Sequence, residues 1–323
     1  SGDKEFLAAG HYISPTGQYH DKGSTDGLGN PLSGSDADAG VDAIVLNLYT
    51  VSELNEKWHF GMAVHAPFGM STEYDDDWVG RYHALNSSLT TINFTPSVAY
   101  RHSDKFSMGM GLTAQYLDVT LSSAIDFGTL CLTQELGSVL PAGTCNTMGL
   151  VPQQSDGYAE VSGSNWSTGW NVGLLFSPSE QQRIGLSYRS AVVQEVSGNA
   201  NFSVPGEAAF LTASSGAFIN TDAQAKVTLP ASASISYWHQ LTDKVAFMGD
   251  VTWTNWSVFD ELRIKYDNPN QPDSVTTENW RDIKRYALGL NYSLNNDTML
   301  RFGAAHDQAV VTDFRYRTAR IPD

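Results

Sequence analysis

The sequence predicts an all-β protein, a transmembrane antiparallel β-barrel, from three observations. Short polar turns alternate with long loops along the chain, and the segments between them alternate apolar and polar residues. No stretch of about 18 consecutive apolar residues is present, which argues against a membrane-spanning helix. Transmembrane barrels carry short turns on one side of the membrane and long loops on the other. We therefore treat residues 1–323 as one barrel domain.

The turns and loops set the order of the predicted strands. The short turns lie at residues 53–57, 103–105, 179–182, 242–244 and 295–297. The long loops lie near residues 20–39, 68–87, 122–166, 198–226 and 260–278. The alternating runs predict eleven strands, near residues 4–19, 40–52, 57–67, 88–102, 106–121, 167–178, 183–197, 227–241, 245–259, 279–294 and 298–310. Bacterial single-chain barrels have an even number of strands, so we expect an incomplete barrel with strands missing after residue 323.

The segment 106–116 shows the alternation most plainly. Small and polar residues such as Gly111 and Thr113 occupy one face. Apolar side chains occupy the other face, at Met108, Met110, Leu112, Ala114 and Tyr116. A period of two with one apolar face is typical of a strand between lipid and a barrel lumen.

Net charge and cysteine content indicate which partners and which cellular compartment suit this sequence. The formal net charge of -16 argues against nucleic acid as a partner, because phosphates need a basic surface. Cys131 and Cys145 both lie in the longest loop, and their even number predicts a disulfide in an oxidising compartment. The pair has neither the CxxC spacing of a redox site nor nearby histidines that would complete a zinc site. We predict no metal and no cofactor.

Five short segments, in order along the chain, carry a family resemblance. They are APFGMSTEYDDDWVGRY at 66–82, GWNVG at 169–173, RIGLSYRS at 183–190, YALGL at 286–290 and RIPD at 320–323. Together they resemble the OmpP1/FadL/TodX family, the outer-membrane long-chain fatty acid transporters of Gram-negative bacteria.

The resemblance implies a mechanism as well as a fold. It implies a barrel of about fourteen strands with a small N-terminal hatch. A hydrophobic substrate is captured in an outer groove, enters a lumen site and leaves sideways at a kinked third strand. Compared with the even-numbered barrels of such proteins, we expect this sequence to lack the hatch and about three C-terminal strands.

Pro67, Phe68 and Gly69 interrupt the third predicted strand. Proline removes a hydrogen bond from a strand ladder and glycine lets the backbone bend, so a lateral opening is expected here. The alternative is that the strand simply ends at this point and a loop begins.

Three arginines are candidates for binding a ligand carboxylate. Arg189, Arg285 and Arg301 lie on the faces opposite the lipid-facing side chains, so we expect them in the lumen. A guanidinium group binds a carboxylate through two parallel hydrogen bonds. The alternative is a structural role in ion pairs, with Asp250 and Asp307 as possible partners.

Two long loops are unusually apolar. Loop 122–166 contains Phe127, Leu132 and Leu136, and loop 198–226 contains Phe202 and Phe210. Exposed apolar side chains on a loop need a reason. A groove that captures a hydrophobic ligand is one reason, and packing of the two loops on each other is the other.

The sequence therefore favours passive uptake of hydrophobic molecules, since it contains no nucleotide-binding motif. Long-chain fatty acid is the leading substrate, and aromatic hydrocarbon is the alternative within the family. A barrel enzyme of the lipase or protease class is the rival from another class, but no catalytic constellation is recognisable. A passive structural barrel is the third hypothesis. The predicted partners are the ligand, membrane lipid and lipopolysaccharide, with the protein as a monomer.

Overall fold

The computed structural model describes residues 4–295, 297–311, 313 and 318–320. Asn296 in the last predicted turn and residues 321–323 of the last motif lie outside the described residues. Among the described helices, none is long and apolar enough to cross a membrane.

The described residues form eighteen strands and a few short helices. The strands are β1 Lys4–Ile13, β2 Gln18–Tyr19, β3 Ala37–Asp38, β4 Ala43–Glu53, β5 Trp58–His65, β6 Gly69–Glu73, β7 Asn86–Ser103, β8 Phe106–Asp126, β9 Asp156–Ser179, β10 Gln182–Arg189, β11 Val192–Ser203, β12 Thr221–Leu229, β13 Ser232–Thr242, β14 Val245–Thr254, β15 Glu261–Tyr266, β16 Ser274–Thr277, β17 Ile283–Ser293 and β18 Met299–Asp307. The helices are α1 Phe127–Leu136, α2 Thr144–Thr147 and α3 Ala209–Ser215, with 3₁₀ turns at Gly206–Ala208 and Trp256–Val258.

Eleven strands form one continuous antiparallel sheet, as the sequence predicts. Their order is β1-β4-β5-β7-β8-β9-β10-β13-β14-β17-β18. Within the described part of the chain, β1 and β18 each pair with one neighbour, so this sheet does not close on itself. The short turns lie at one end of the sheet, here called the turn end, and the long connections lie at the other, the loop end.

The predicted alternation of side chains on β8 is confirmed. Met108, Met110 and Leu112 are exposed, whereas Gly111 and Thr113 are buried. The exposed apolar face is the one that meets lipid, and the other lines the lumen.

The loops are shorter than the sequence predicts, because strand pairing continues beyond the segments in which apolar and polar residues alternate. β8 and β9 remain paired from Phe106–Phe176 to Asp126–Asp156, deep into the predicted loop 122–166. Strands β11, β12, β15 and β16 form a side extension of the sheet at the loop end. β15 and β16 lie within the predicted loop 260–278, whereas β11 and β12 lie partly in the predicted loop 198–226 and partly in the predicted strands beside it. Conversely, the first predicted strand ends early, at Ile13.

Two predicted strands are each broken in two. Segment 183–197 breaks after Arg189, and segment 227–241 breaks at Pro230. Arg189 pairs with Asn171 and Ser197 with Ser164, so eight steps on one strand face seven on β9. One extra residue makes a bulge, which turns β11 and β12 away from β10 and β13.

Candidate functional site

An apolar cavity of about 80 Å³ lies inside the loop end of the barrel. Its walls come from β6, β7, β8 and β9 and from the side extension of β11, β12 and β15. Its lining includes Met70, Leu89, Leu117, Val119, Leu121, Val161, Val196, Val227, Phe259, Leu262 and Ile264. The cavity exists because the lumen face of β8 changes from polar at Gln115 to apolar from Leu117 onward.

A buried polar layer lies directly beneath this cavity. The Gln115 side chain donates to Asn93 at 2.7 Å and accepts from Gln194 at 3.1 Å. Asn165 donates to Gln194 at 3.0 Å, so the amides form a chain across the four strands β7, β8, β11 and β9. A satisfied buried network is rigid, and a hydrocarbon that displaced it would leave its polar groups without partners. The layer is therefore a poor route for an apolar ligand moving toward the turn end.

The third strand is interrupted beside the cavity, where the sequence places Pro67, Phe68 and Gly69. His65 ends β5 opposite Asn93, and Gly69 begins β6 opposite Thr90. Four steps on the third strand thus face three on β7, which is a bulge. The Phe68 backbone N–H donates to the Thr91 hydroxyl oxygen at 3.0 Å, and that hydroxyl donates to the Phe68 carbonyl at 2.6 Å.

On the side of β4, the interrupted segment makes no strand pairing within the described chain. β4 pairs with β5 only as far as Leu48 and Val64. Residues 43–47 of β4 pair with β1, and within the described chain they have no partner strand on the side of Pro67. An isolated bridge between Gly40 and Thr72 lies above the gap.

Phe68 packs beside the cavity, at the interruption of the third strand. Its side chain packs with the cluster of Leu117, Val196 and Leu229, which borders the cavity. Its ring makes an edge contact with Trp256 at 5.7 Å between centroids, and the Arg189 guanidinium lies 5.0 Å from its centre.

The structure does not bring the three candidate arginines together. Arg189 lies in a small recess with Phe68, Asn93 and Gln115, at the interruption of the third strand. Arg285 faces Asp307 across β17 and β18, with 3.9 Å between Nε and Oδ1. Arg301 is opposite Asn291, six residues from Arg285 along β17 and therefore about 20 Å away.

The two apolar loops pack on each other. Phe127 is buried and its ring contacts Phe218 edge to face at 5.1 Å, and Phe202 contacts the same ring at 5.9 Å. Leu132 and Phe210 are partly buried in the same cluster. Helix α1 nevertheless leaves apolar side chains in solvent at its end, where Leu136 is 74% exposed.

A disulfide joins Cys131 of α1 to Cys145 of α2. Both cysteines are completely buried, in the cluster that contains Phe127, Leu150 and Leu211. The link therefore holds the two halves of the longest loop against the neighbouring loop.

The sequence reasoning did not single out two charged residues near the cavity, the half-buried Arg320 and the buried Glu278. Arg320 Nη1 donates to the Ser87 hydroxyl oxygen at 3.4 Å and to the Ser122 carbonyl at 3.3 Å. Glu278 is 1% exposed, and its Oε1 has no hydrogen-bond partner among the described residues. Both lie in irregular segments, where no periodicity of side chains predicts which way they point.

The family model for "Outer membrane protein transport protein (OMPP1/FadL/TodX)" matches residues 2–323. The chain belongs to this family. The long-chain fatty acid transport protein of Escherichia coli O6:H1 is 29% identical over 90% of the chain and 66% of its own length. The chain spans about two thirds of the length of the curated relatives that it matches.

Two solved structures share the fold. A Pseudomonas aeruginosa FadL homologue superposes with a TM-score of 0.76 at 23% identity, over 96% of this chain and 72% of that one. The toluene transporter TodX of Pseudomonas putida gives 0.66 at 17% identity, over 96% and 76%. The FadL-family fold is thus a transmembrane β-barrel of the Gram-negative outer membrane, and the family consists of transport proteins rather than enzymes. In this fold the loop end faces the outside.

Proposed function

We propose that this protein admits hydrophobic molecules passively through the outer membrane, with long-chain fatty acids as the leading substrate. One observation carries the proposal. An apolar cavity has a polar floor of Gln115, Asn93 and Gln194, and beside it the third strand lacks a neighbour on one side. A ligand in such a cavity has a shorter apolar route sideways into the bilayer than downward through the floor.

The proposed route has three stages. The apolar surface of the paired loops, with Leu132, Leu136, Phe202 and Phe210, captures the ligand outside. The cavity then receives the alkyl chain, since each buried methylene contributes about 0.8 kcal/mol. Movement of Phe68 opens the cavity to the gap beside Pro67, and the ligand enters the membrane there. No energy source beyond the concentration gradient is required.

The substrate class rests on what the relatives are named for and on the cavity wall. One relative is a long-chain fatty acid transport protein, and one structural neighbour is a toluene transporter. The wall suits both alkyl chains and aromatic rings. Arg189 at the gap remains the best placed of the three predicted arginines for a carboxylate, because Arg285 already faces Asp307. A monomer in contact with lipopolysaccharide belongs to the same proposal.

A designed disulfide across the gap tests the lateral exit. If the β4–β5 register continued, Leu46 would lie opposite Ala66. We expect the oxidised Leu46→Cys, Ala66→Cys variant to lose most fatty acid uptake by cells that depend on this protein. The control is Leu48→Cys, Val64→Cys, which links positions already paired. Mass spectrometry verifies each bond, and normal uptake through the linked gap would exclude the lateral exit.

A further inference from the structure

We propose that Trp256 holds Phe68 in its closed position from across the lumen, and that Asp282 is the positioning residue that fixes Trp256 there. The closed position is the one that Phe68 occupies in this structure, beside the cavity. This inference deepens the proposed function and rests on it. It assigns control of the lateral exit to the connection between β14 and β17, in addition to the interruption of the third strand.

The contact between Trp256 and Phe68 joins two distant parts of the barrel wall. Phe68 lies between β5 and β6, whereas Trp256 begins the 3₁₀ turn that follows β14. Within the described sheet, five strands separate β5 from β14, which is about 29 Å along the wall. The two ring centroids are nevertheless 5.7 Å apart. The turn that carries Trp256 therefore reaches inward across the lumen to Phe68.

Trp256 packs with Trp280 and Phe259, and we call these three side chains the aromatic brace. The rings of Trp256 and Trp280 meet edge to face at 4.9 Å between centroids, and so do the rings of Trp280 and Phe259. Such ring pairs are favourable beyond the area that they bury. Backbone hydrogen bonds join the same segments, since the Trp280 N–H donates to the Phe259 carbonyl at 3.3 Å. The brace is therefore a packed unit, and its Phe259 also lines the apolar cavity.

Asp282 fixes the base of the brace to the barrel wall. This residue directly precedes β17, the neighbour of β14 in the sheet. Its Oδ1 accepts from the Asn255 side-chain amide at 2.9 Å and from the Ser257 backbone N–H at 3.0 Å. Its Oδ2 accepts from the Trp253 indole N–H at 3.2 Å. Hydrogen bonds to a charged acceptor are stronger than those between neutral groups, so this carboxylate holds the residues on both sides of Trp256.

The contacts of Phe68 divide between its backbone and its ring. Thr91 bonds the backbone N–H and carbonyl, whereas Trp256 and Arg189 contact the ring. A rotation of the side chain toward the gap would break the contact with Trp256 and leave the bonds to Thr91 intact. Loss of Trp256 should therefore increase the population of the open position without disturbing the strand ladder.

The position of the Phe68 ring can be measured directly. The probe is 4-fluorophenylalanine at position 68, observed by ¹⁹F NMR in the intact protein in phosphatidylcholine nanodiscs. Spin-labelled phosphatidylcholine broadens the ¹⁹F signal when the ring turns into the gap and meets lipid. We expect Trp256→Leu to raise the open population about two- to tenfold, the range for loss of one edge-to-face ring pair.

Asp282→Ala tests the positioning role while the Trp256 ring is retained. We expect it to raise lipid contact of the Phe68 ring in the same direction as Trp256→Leu. The double variant should show no larger effect than Trp256→Leu alone, because both changes act through one contact. The matched controls are Val258→Ala, an exposed side chain of the same turn, and Asp260→Ala, whose described hydrogen bonds are accepted by its backbone carbonyl. Unchanged hydrogen exchange in β8 verifies that each variant is folded.

Uptake separates control of the exit from a structural role. Exit in the proposed route requires the open position, so the maximal rate of palmitate uptake should rise by the same factor in Trp256→Leu and Asp282→Ala. The affinity of the purified variants for palmitate, measured by calorimetry, should stay constant. A loop that only stabilises the barrel would instead lower the maximal rate when it is damaged.

Different outcomes overturn different statements. Equal lipid contact of the Phe68 ring in wild type and Trp256→Leu would overturn the contact across the lumen. A further increase on adding Asp282→Ala to Trp256→Leu would overturn the role of Asp282. A more open ring with an unchanged or lower maximal rate would overturn control of the exit. A wild type that takes up no palmitate would overturn the proposed function, and the ¹⁹F measurement would still decide the role of Trp256 at Phe68.

Discussion

Arg81 is the residue on which three loops converge. Its Nε donates to Asp156 Oδ2 at 2.9 Å, and its Nη1 donates to the Ser33 carbonyl at 2.7 Å. The Tyr82 hydroxyl donates to the same carboxylate at 2.8 Å. The side chain of Arg81 is only 7% exposed, so this ion pair is largely desolvated. The motif at 66–82 therefore contains a buried ion pair that joins neighbouring loops, as well as the interrupted strand.

Removing the charge of Asp156 should break this ion pair and weaken the contact between the loops. A broken buried pair costs about 3–5 kcal/mol, and we expect the lower value because the Asp156 side chain retains 27% exposure. About 3 kcal/mol corresponds to roughly a hundredfold faster local opening. Hydrogen exchange of the peptide covering 74–85 measures this in Asp156→Asn. Asp76→Asn, an exposed acid in the same loop, is the control; equal exchange in both variants would contradict the role of the pair.

At the scale of elements, the packed loops behave as one unit. Helix α1 and helix α3 share a cluster with Cys131, Cys145 and Leu211, so the disulfide and the loop–loop contact support the same surface. The sequence left capture and packing as alternatives for these apolar residues. The geometry allows both, since Phe127 is buried whereas Leu136 is exposed.

Loss of the disulfide should impair capture more than barrel folding. A link that closes a loop of about 15 residues contributes about 3 kcal/mol in the chain-entropy model. We expect Cys131→Ser, Cys145→Ser to show faster hydrogen exchange in α1 and weaker fatty acid binding, with unchanged exchange in β8. Wild type under the same non-reducing conditions is the reference. Unchanged protection of α1 would show that packing alone holds the loop.

Strands were predictable where a two-residue period governs them, whereas contacts between segments distant in sequence were not. The eleven paired strands and the break at Pro67 follow from local residue types. The break after Arg189 was missed, because the Ser190 hydroxyl oxygen repairs the ladder by accepting from the Trp170 N–H at 3.0 Å, without proline or glycine. The contacts of Arg320 with Ser87 and Ser122 join segments about 200 residues or more apart, so no local pattern could predict them.

At the scale of the whole molecule, the alternation of side chains along β8 separates a face toward lipid from a face toward the lumen. The lipid face of β8 remains apolar from Met108 to Leu112, whereas its lumen face is polar up to Gln115 and apolar beyond it. The apolar cavity is therefore confined to the outer part of the lumen. The polar layer of Asn93, Gln115 and Gln194 separates this cavity from the turn end.

The position of Leu112 tests this division. It lies six residues beyond the turn, about 20 Å along a tilted strand and thus near the middle of the bilayer, and it is 71% exposed. Leu112→Arg should destabilise the barrel by about 2–4 kcal/mol, the cost of a cation on the lipid face at the midplane. Urea-dependent folding into lipid vesicles measures the change. The matched variant Leu54→Arg places the same cation on a turn outside the bilayer and should be nearly neutral. Equal stability of the two variants would mean that this face of β8 does not meet lipid.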